Sequence, residues 1–349
     1  MKKLSIVFIA LLVLTGCANK NTTKQELRVY NWGSYIDESL ITEFEKEFDA
    51  KVIYDKFDSN EAMYIKVASE DSYDVLYPTD YMIERLRVED RLQKLDYSKI
   101  PNYAATLDSL KGRAMDPTAE YTAGYFWGNV GIVYDKTKVS ITDLEQQGWN
   151  IFKNENYKDQ IFFLDSERDA FMVALKALGY SMNTTSETEL QEAFDWLKDM
   201  NQKTRPVYIR DEMIDSMVSG VKPIGTMYSG DATYVLSENE NMAFYVPTQG
   251  TNSWMDAMVI TKNAKNVDLA HEWINFILSK ESQQRITEEI GYTSARQDVI
   301  DIVTGANGAF NGIDSYETRQ NYNLDENYRF DDITRVTMAD YWVKVKSNG

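Results

Sequence analysis

Aromatic rings stand beside carboxylates at several points where the chain is predicted to turn. The face of a ring attracts a cation, and this cation–π contact is worth roughly 0.5–2 kcal/mol. A carboxylate accepts strong hydrogen bonds from an ammonium group because both partners are charged. Rings and acids together therefore predict a site for an organic cation, although rings also stack on the faces of sugars. The set comprises Trp32 and Tyr35, Asp80 and Tyr81, Tyr228 and Asp231, Trp254 and Asp256, and Tyr292.

No catalytic constellation accompanies these rings and acids. The nucleophile-elbow, phosphate-loop and zinc-protease motifs are absent from the sequence. His271 and Cys17 are the only residues of their types, so we expect no metal site and no cofactor. This favours a binding protein over an enzyme. The alternatives are a secreted glycosidase, which needs only two carboxylates in a cleft, and an oligosaccharide-binding lipoprotein.

The spacing of Trp254 and Asp256 predicts the sharpest feature of the site. Both lie on a predicted strand, where residues two apart point to the same face. A stacking ring and an acceptor would then lie side by side, while Met255 and Ala257 face the other way. A cation that loses its water in a closed cleft needs a fixed counter-charge. Asp256 is therefore predicted to be the principal partner of a ligand ammonium, the alternative being a solvated acid in a turn.

Alternating strands and helices are predicted to carry these residues to one rim. A buried strand ends at Tyr30, a turn at Gly33 carries Trp32 and Tyr35, and an amphipathic helix follows Asp37. In open α/β sheets, ligands bind at the carboxyl ends of the strands. The alternation implies a parallel sheet in an α/β protein. Further strands are predicted at 51–57, 73–77, 161–164, 206–209, 224–228, 242–246 and 254–260.

A long strand-like run from 121 to 134 is interrupted by Gly124, Gly128 and Gly131. Such a run can carry the chain from one domain to another. The glycines would then give conformational freedom at a hinge between the domains.

The first residues are predicted to be a targeting segment. Lys2 and Lys3 precede an apolar stretch that is too short to span a membrane. The stretch closes on Leu-Thr-Gly-Cys, which resembles a bacterial lipobox. We expect a lipoprotein signal peptide at 1–16, lipid on Cys17, and a polar tether at 17–25. The protein would be held at the cell membrane on its extracytoplasmic face.

The charge balance of the chain limits the partners it can have. The formal charge is −18, and it becomes −20 when the two lysines of the signal are removed. Nucleic acids bind proteins through Lys and Arg that displace counterions, so such an acidic protein is not expected to bind them. A hydrophobic content of 43% is typical of a soluble globular protein.

Several segments resemble the spermidine/putrescine-binding proteins of bacterial ABC importers. They follow the family's order along most of the chain: V-Y-N-W-G-S-Y-I (29–36), Y-D-V-L-Y-P-T-D-Y (73–81), L-G-Y-S-M-N-T-T (178–185), Y-S-G-D-A (228–232), W-M-D-A-M-V-I (254–260), N-F-I-L (275–278) and I-G-Y-T-S (290–294). The resemblance implies a type II periplasmic-binding-protein fold, with two α/β domains and a ligand cleft between them. One domain would comprise 26–130 plus 255–300, and the other 131–254 plus 301–349. It also implies a monomer that captures a polyamine by hinge closure and delivers it to the permease subunits.

The resemblance also implies particular ligand contacts. The family's ring box falls on Trp32, Tyr35, Tyr81, Trp254 and Tyr292, and Tyr228 stands where spermidine-type proteins often have Trp. The polar contacts fall on Thr79, Asp169, Asp231 and Asp256, with Tyr328 as a further guess. Ser166 replaces the first acid of a family segment that has two, so the preferred polyamine stays open. The pattern Ser166-x-x-Asp169 is also typical of a helix capping box, which would give Asp169 a structural role.

Overall fold

The computed structural model describes residues 24–69 and 73–347. Its strands are β1 Gln25–Trp32, β2 Ala50–Phe57, β3 Val75–Leu76, β4 Leu92–Gln93, β5 Ala123–Asp135, β6 Ile161–Leu164, β7 Val207–Ile209, β8 Ile224–Tyr228, β9 Met242–Tyr245, β10 Ser253–Thr261 and β11 Thr293–Ser294. Its α-helices are α1 Ser39–Glu47, α2 Asn60–Ser69, α3 Asp80–Val88, α4 Ile141–Gln147, α5 Glu167–Leu178, α6 Glu187–Thr204, α7 Glu212–Val218, α8 Ser229–Glu238, α9 Val267–Ile277, α10 Lys280–Ile290, α11 Gln297–Val303 and α12 Asp332–Ser347. Short 3₁₀ helices fill the stretches around 97–110 and 148–157.

The strands form two sheet regions that are joined by the pairing of β5 with β10. In the first, β1 pairs in parallel with β2 and β3, and β10 runs antiparallel to β3 and β4. In the second, β6 pairs in parallel with β7 and β8, while β8 and β9 run antiparallel to β5. The predicted parallel sheet is therefore correct for the βαβ units and wrong for β5, β9 and β10, so the whole arrangement is mixed.

The two long strands β5 and β10 join the sheet regions. The first half of β5 pairs with β10 and β11, and its second half pairs with β8 and β9. Every residue of β5 is buried, as expected for a strand at the centre of a molecule. The predicted long strand at 121–134 is thus confirmed, and it connects the two regions as expected.

Close packing explains the glycines at two positions of β5. A Cβ on Gly128 would lie 2.2 Å from Ser229 Oγ, and one on Gly131 would lie 2.3 Å from Phe244 Cζ. Neither residue has the positive φ that only glycine adopts freely. At both positions the structure requires glycine for the close approach of a neighbouring side chain, a reason that the sequence alone did not reveal.

The turn after β1 differs in detail from the prediction. Trp32 is the last residue of the strand and does not lie in the turn. The left-handed conformation belongs to Ser34, with φ 49°, and not to Gly33, whose Cβ position is unobstructed. The chain then enters α1, which packs Leu40 and Phe44 into the core.

The chain after α11 first stays against α10 and β11. The Tyr316 hydroxyl lies 2.7 Å from Thr287 Oγ1 and accepts a hydrogen bond of 3.3 Å from Ser294 N. From Arg319 onward the contacts change, because Arg319 donates to Val246 O and pairs with Asp325 near the start of β10. Within 24–69 and 73–347, no helix is both long and apolar enough to cross a bilayer.

Candidate functional site

A cluster of four aromatic rings lies where the two sheet regions meet. The Trp254 ring contacts the edge of Tyr292 at 5.3 Å and that of Tyr228 at 6.2 Å, measured between ring centroids. Tyr292 in turn contacts Tyr35 at 5.5 Å, again edge to face. Edge-to-face contacts leave parts of the ring faces available, and an open face is what a cation or a methylene chain needs.

Each of three aspartates at this cluster accepts a hydrogen bond from a tyrosine hydroxyl. Asp256 Oδ2 accepts from Tyr35 at 2.8 Å, Asp231 Oδ1 from Tyr292 at 2.7 Å, and Asp169 Oδ2 from Tyr228 at 2.7 Å. The acids come from β10, α8 and α5 respectively, so both sheet regions contribute.

Burial weakens the acidity of all three aspartates. It raises the pKa of Asp256 to about 6, against the lowering effects of the Thr79 side chain and of the hydrogen bond from Tyr35. It raises the pKa of Asp231 to about 7, and the pKa of Asp169 also lies above its ordinary value for the same reason. A carboxylate whose pKa is raised by burial gains most from an incoming cation, because the cation offsets the lost solvation.

Two polar atoms at the cluster have no hydrogen-bond partner among the described residues. They are Oδ1 of Asp256 and Nε1 of Trp254. Asp256 is only 6% exposed, so the predicted alternative of a solvated acid in a turn is wrong. An unpaired buried oxygen costs free energy unless something binds it, so Asp256 Oδ1 is an acceptor available to a ligand.

Ser166 and Asp169 form half of the capping box that their spacing predicts. Ser166 Oγ accepts a hydrogen bond of 3.3 Å from Asp169 N and caps α5. The Asp169 carboxylate, however, faces Tyr228 and also Tyr328, whose hydroxyl lies 3.5 Å from Oδ1. The capping hydrogen bond therefore uses the backbone amide of Asp169, while its carboxylate faces the tyrosine hydroxyls.

Tyr81 lies at the edge of this arrangement, next to a positive charge. Its ring contacts Tyr328 edge to face at 6.5 Å, and the Arg168 guanidinium lies 3.7 Å from its ring centroid. Its hydroxyl interacts with Asn60 and Glu61. The predicted ring box therefore contains an arginine that the sequence interpretation did not single out.

Thr79 and Trp32 are the two remaining residues that were predicted to contact a ligand. Thr79 forms a backbone bridge to Asp256 and so lies beside that acid. Trp32 packs on Phe57 at 4.5 Å and donates from Nε1 to Tyr77 O at 2.8 Å. Its ring is held to the first sheet and stands apart from the four-ring cluster.

Comparison with known proteins places the chain among binding proteins. A family model described as bacterial extracellular solute-binding protein matches residues 70–326. The chain belongs to this family. A second model, of hypothetical lipoproteins, matches residues 1–114.

Individual relatives agree with the family assignment. The spermidine/putrescine-binding periplasmic protein of Salmonella typhimurium is 30% identical and covers 81% of this chain and 80% of its own. The structure of PotD, a spermidine/putrescine transporter substrate-binding protein of Streptococcus pneumoniae, superposes with a TM-score of 0.77 at 34% identity over 93% of this chain and 99% of its own. The Tp0655 (TpPotD) lipoprotein of Treponema pallidum gives a TM-score of 0.79 at 26% identity over 92% and 99%. The resemblance and the predicted fold of two α/β domains around a cleft are thereby confirmed.

A further buried acid, Asp80, was among the ring-and-acid pairs of the sequence but not among the ligand contacts that the resemblance implies. Asp80 is fully buried, and burial raises its pKa to about 7, against the lowering effects of the Tyr81 amide and of Arg113. Arg113 also donates to Ser253 Oγ at 3.1 Å and Trp254 O at 3.5 Å. Asp80 stands beside Tyr81 in the sequence, but Arg113, whose charge acts on Asp80, comes from a distant loop that only the fold brings near.

An ion pair also ties the two sides of the cleft in this solute-binding protein. Arg329 donates to both carboxylate oxygens of Glu84, at 2.9 Å from Nε and 2.5 Å from Nη2. Phe330 N adds a third donor at 2.9 Å. Glu84 lies on α3, whereas the segment around Arg329 lies against Asn183 and Asp169 of the other side.

His271 has a structural role. Its Nδ1 lies 2.7 Å from Val267 O, and its Nε2 accepts a hydrogen bond of 2.9 Å from Asp96 N. Both nitrogens of a neutral ring are thereby satisfied. In the described part of the chain, no group of three or more His, Cys, Asp or Glu side chains could hold a metal ion.

Proposed function

We propose that this solute-binding protein binds a polyamine in the cleft and delivers it to an ABC permease. One observation carries the proposal: Asp256 is buried against a cluster of rings, and its Oδ1 has no hydrogen-bond partner among the described residues. A ligand ammonium would give this oxygen a hydrogen bond and a counter-charge together. The methylenes of the ligand would pack against Trp254 and its neighbouring rings.

The electrostatics of the cleft favour a cation over a neutral sugar. Within the described residues, none of Asp169, Asp231 and Asp256 takes part in an ion pair with Lys or Arg. A sugar would leave these buried acids without counter-charge, and that costs free energy. The names of relatives point the same way, since the Salmonella protein is named for spermidine and putrescine. The oligosaccharide-binding and glycosidase alternatives have no such support.

The residues proposed to contact the ligand fall into two chemical groups. Tyr35, Tyr228, Trp254 and Tyr292 supply rings, with Trp32 and Tyr81 at the margins. Asp256 is the principal charge partner, Asp169 and Asp231 supply further acceptors, and Thr79 lies beside Asp256.

Ligand capture is proposed to work by closure of the two domains. The two sides of the cleft are linked by the Tyr292–Asp231 hydrogen bond and by the Arg329–Glu84 pair, contacts that domain opening would break. We propose crossings near residues 130 and 254, and a third one between Tyr316 and Arg319. That last position is later than residue 300, because Tyr316 still contacts α10 and β11.

The protein is further proposed to be a monomeric lipoprotein that performs no chemistry on its ligand. Cys17 lies outside the described residues, but the match of residues 1–114 to a lipoprotein model supports lipid at this position. The Treponema relative is likewise named a lipoprotein. Two acyl chains are sufficient for stable membrane anchoring.

Thermal unfolding with candidate ligands tests the binding function. A soluble form that begins at Asn19 should be stabilised by putrescine or spermidine, by roughly 2.7 kcal/mol at 100 times the Kd. Amino acids and oligosaccharides serve as controls. Stabilisation by oligosaccharides alone, with reducing ends released over time, would instead establish the glycosidase alternative.

Two separate measurements test closure and anchoring. Small-angle scattering should show a smaller radius of gyration once polyamine saturates the protein, and an unchanged profile would count against closure. Cys17→Ser should move the full-length protein from the membrane fraction to the soluble fraction. If the variant still sediments with membranes, Cys17 is not the anchor.

A further inference from the structure

The carboxylate of Glu84 joins α3 to the chain segment around Arg329. It accepts hydrogen bonds from Arg329 Nε at 2.9 Å and Nη2 at 2.5 Å, and a third from Phe330 N at 2.9 Å. The side chain of Glu84 is only 10% exposed, whereas that of Arg329 is 51% exposed. The pair therefore lies at the surface edge of the cleft, with the acid mostly covered and the guanidinium partly in solvent.

A second ion pair lies beside the first and has the opposite polarity. Arg85 is the next residue of α3, and its Nη2 lies 3.7 Å from Asp332 Oδ2. Its guanidinium carbon also lies 5.2 Å from the ring centroid of Phe330. Along α3 a negative charge is followed by a positive one, and along the facing segment a positive charge is followed by a negative one. Charges in this complementary order determine which residues meet when two surfaces approach.

The facing segment, residues 326–332, is held to the second sheet region. Arg329 N donates to Asn183 Oδ1 at 2.9 Å, and Glu326 accepts a hydrogen bond from Lys176 of α5, the helix that follows β6. By contrast, α3 follows β3 of the first sheet region. The contacts between α3 and this segment therefore cross the cleft, and a movement that opens the cleft would separate them.

Both sides of the first ion pair lie next to rings of the proposed site. Glu84 follows Tyr81 by three residues, which is about one turn of α3. Arg329 directly follows Tyr328, whose hydroxyl lies 3.5 Å from Asp169 Oδ1. The rings of Tyr81 and Tyr328 contact each other edge to face at 6.5 Å. The ion pairs therefore lie immediately outside the proposed ligand contacts.

We propose that Glu84 and Arg85 form, with Arg329 and Asp332, a clasp that holds the cleft closed and sets the rate at which the ligand leaves. This inference rests on the proposed polyamine binding by domain closure. The four are positioning residues, because none of them belongs to the proposed ligand contacts. A ligand leaves only after the cleft reopens, and reopening must break both ion pairs. It enters while the cleft is open, before the pairs form, so the clasp changes the dissociation rate and not the association rate.

A double-mutant cycle on the first ion pair tests the proposal. The release of radiolabelled polyamine into excess unlabelled ligand measures the dissociation rate, with putrescine or spermidine, whichever the wild-type protein binds more tightly. Glu84→Gln and Arg329→Gln should each raise this rate by about tenfold, because a half-exposed pair lies between surface pairs, which contribute little, and buried ones. The double variant should release the ligand no faster than the faster single variant, since both changes break one contact.

The second ion pair gives an independent variant that leaves Glu84 and Arg329 in place. Asp332→Asn should raise the dissociation rate by only about two- to threefold, because Asp332 is 46% exposed and its distance from Arg85 is longer. An unchanged rate in this variant would remove the second pair from the clasp.

An Arg–Glu pair within one proposed domain is the matched control. Arg285 of α10 donates from Nη1 to both carboxylate oxygens of Glu43 of α1, at 2.9 and 3.1 Å. Opening of the cleft leaves this pair intact, since both helices belong to the same proposed domain. Glu43→Gln should therefore keep the dissociation rate within about twofold of the wild type. The association rate of Glu84→Gln should also stay within about twofold, which separates a clasp from a general loss of binding.

The outcomes separate this inference from the proposed function. If the wild-type protein binds neither polyamine, the proposed function is refuted and the clasp falls with it. If it binds polyamine but Glu84→Gln and Arg329→Gln release the ligand at the wild-type rate, the clasp is overturned while polyamine binding stands. Lower stability of these ligand-free variants in urea with an unchanged dissociation rate would show a purely structural pair. Faster release in both single variants, with no further increase in the double variant, supports the clasp.

Discussion

Buried carboxylates outside the ligand cluster contrast with those inside it. Glu326 accepts hydrogen bonds from Lys176, and Glu84 accepts them from Arg329. Burial alone would raise the pKa of both, but the hydrogen bonds they accept, from these cations first, and the charge of the cations together outweigh it, so the pKa of each is lowered. Asp256 and Asp231 are bound by tyrosine hydroxyls instead, and their pKa values are raised to about 6 and about 7.

The two groups of carboxylates differ in whether their hydrogen-bond donor carries a charge. A phenol donates a hydrogen bond but carries no charge, so it orients the carboxylate without neutralising it. The protein completes its structural ion pairs internally and leaves the charge of the ligand cluster to be balanced from outside. The buried acids without counter-charge lower the stability of the ligand-free protein, as is common at functional sites. Under the proposed function, a bound polyamine would recover this loss of stability.

The largest effect should come from breaking a structural ion pair. Lys176 is 4% exposed and donates to both Leu324 O and Glu326. Lys176→Met leaves a partly buried carboxylate unpaired, and we expect a loss of about 2–4 kcal/mol in the free energy of unfolding. Urea denaturation measures it. Lys198→Met removes a surface lysine and should cost less than about 0.5 kcal/mol. An equally small loss at Lys176 would remove the contrast between the two groups of acids.

The second effect concerns pH. The ordinary pKa of Asp is 3.8, whereas folding raises that of Asp256 to about 6 and that of Asp231 to about 7. Between these values the folded protein binds more protons than the unfolded chain, so the ligand-free protein should become more stable as pH falls from 8 to 5. We expect a gain of about 1–3 kcal/mol from urea denaturation at both pH values. Asp80, whose pKa is also raised to about 7, should contribute to this gain, so the Asp231→Asn, Asp256→Asn double variant should lose a large part of it and the further change Asp80→Asn should remove more. A wild-type protein that loses stability across this window would contradict the pKa assignments.

The smallest effect tests the role of the tyrosine hydroxyls. The Tyr35 hydroxyl donates to Asp256 and favours its ionised form. Tyr35→Phe should raise the pKa of Asp256 and weaken ligand binding by about 1 kcal/mol, more at pH 6 than at pH 8. Calorimetric titrations at the two pH values measure this. Tyr97→Phe, whose hydroxyl bonds a backbone carbonyl far from the cluster, is the matched control. Identical losses at the two pH values would show that Tyr35 acts only through packing.

The sequence predicted the parts of the site that depend on local geometry. The two-residue spacing of Trp254 and Asp256 placed both side chains at the cluster, and Ser166 did cap its helix. The long central strand and the amphipathic helix after Asp37 also followed from hydrophobic spacing. These features depend on neighbours within a few residues, which the order of residue types encodes.

Long-range packing accounts for what the sequence could not predict. Arg168 contacts Tyr81 only because distant segments fold together, and the same folding brings Arg113 to Trp254 O and lets its charge act on Asp80. The glycines of β5 suggested a flexible hinge, but Gly128 is required by the approach of Ser229 from another strand end. Helices α8 and α10 were not predicted. The buried face of α10 is mostly polar, with Ser282, Gln283 and Thr287 beside Ile286, so no stripe of apolar residues marks the helix in the sequence.

Asp256→Asn tests the central claim most directly, because the change keeps the shape of the side chain and removes its charge. Calorimetric titration with putrescine and spermidine should show a loss of about 2–5 kcal/mol, or roughly 30- to 5,000-fold in Kd. The ligand-free variant should unfold at a urea concentration at least as high as that for the wild type, because a buried acid without counter-charge has been removed. Asp268→Asn, at an exposed surface acid, should change neither quantity. Affinity within threefold of the wild type for both polyamines would contradict the account.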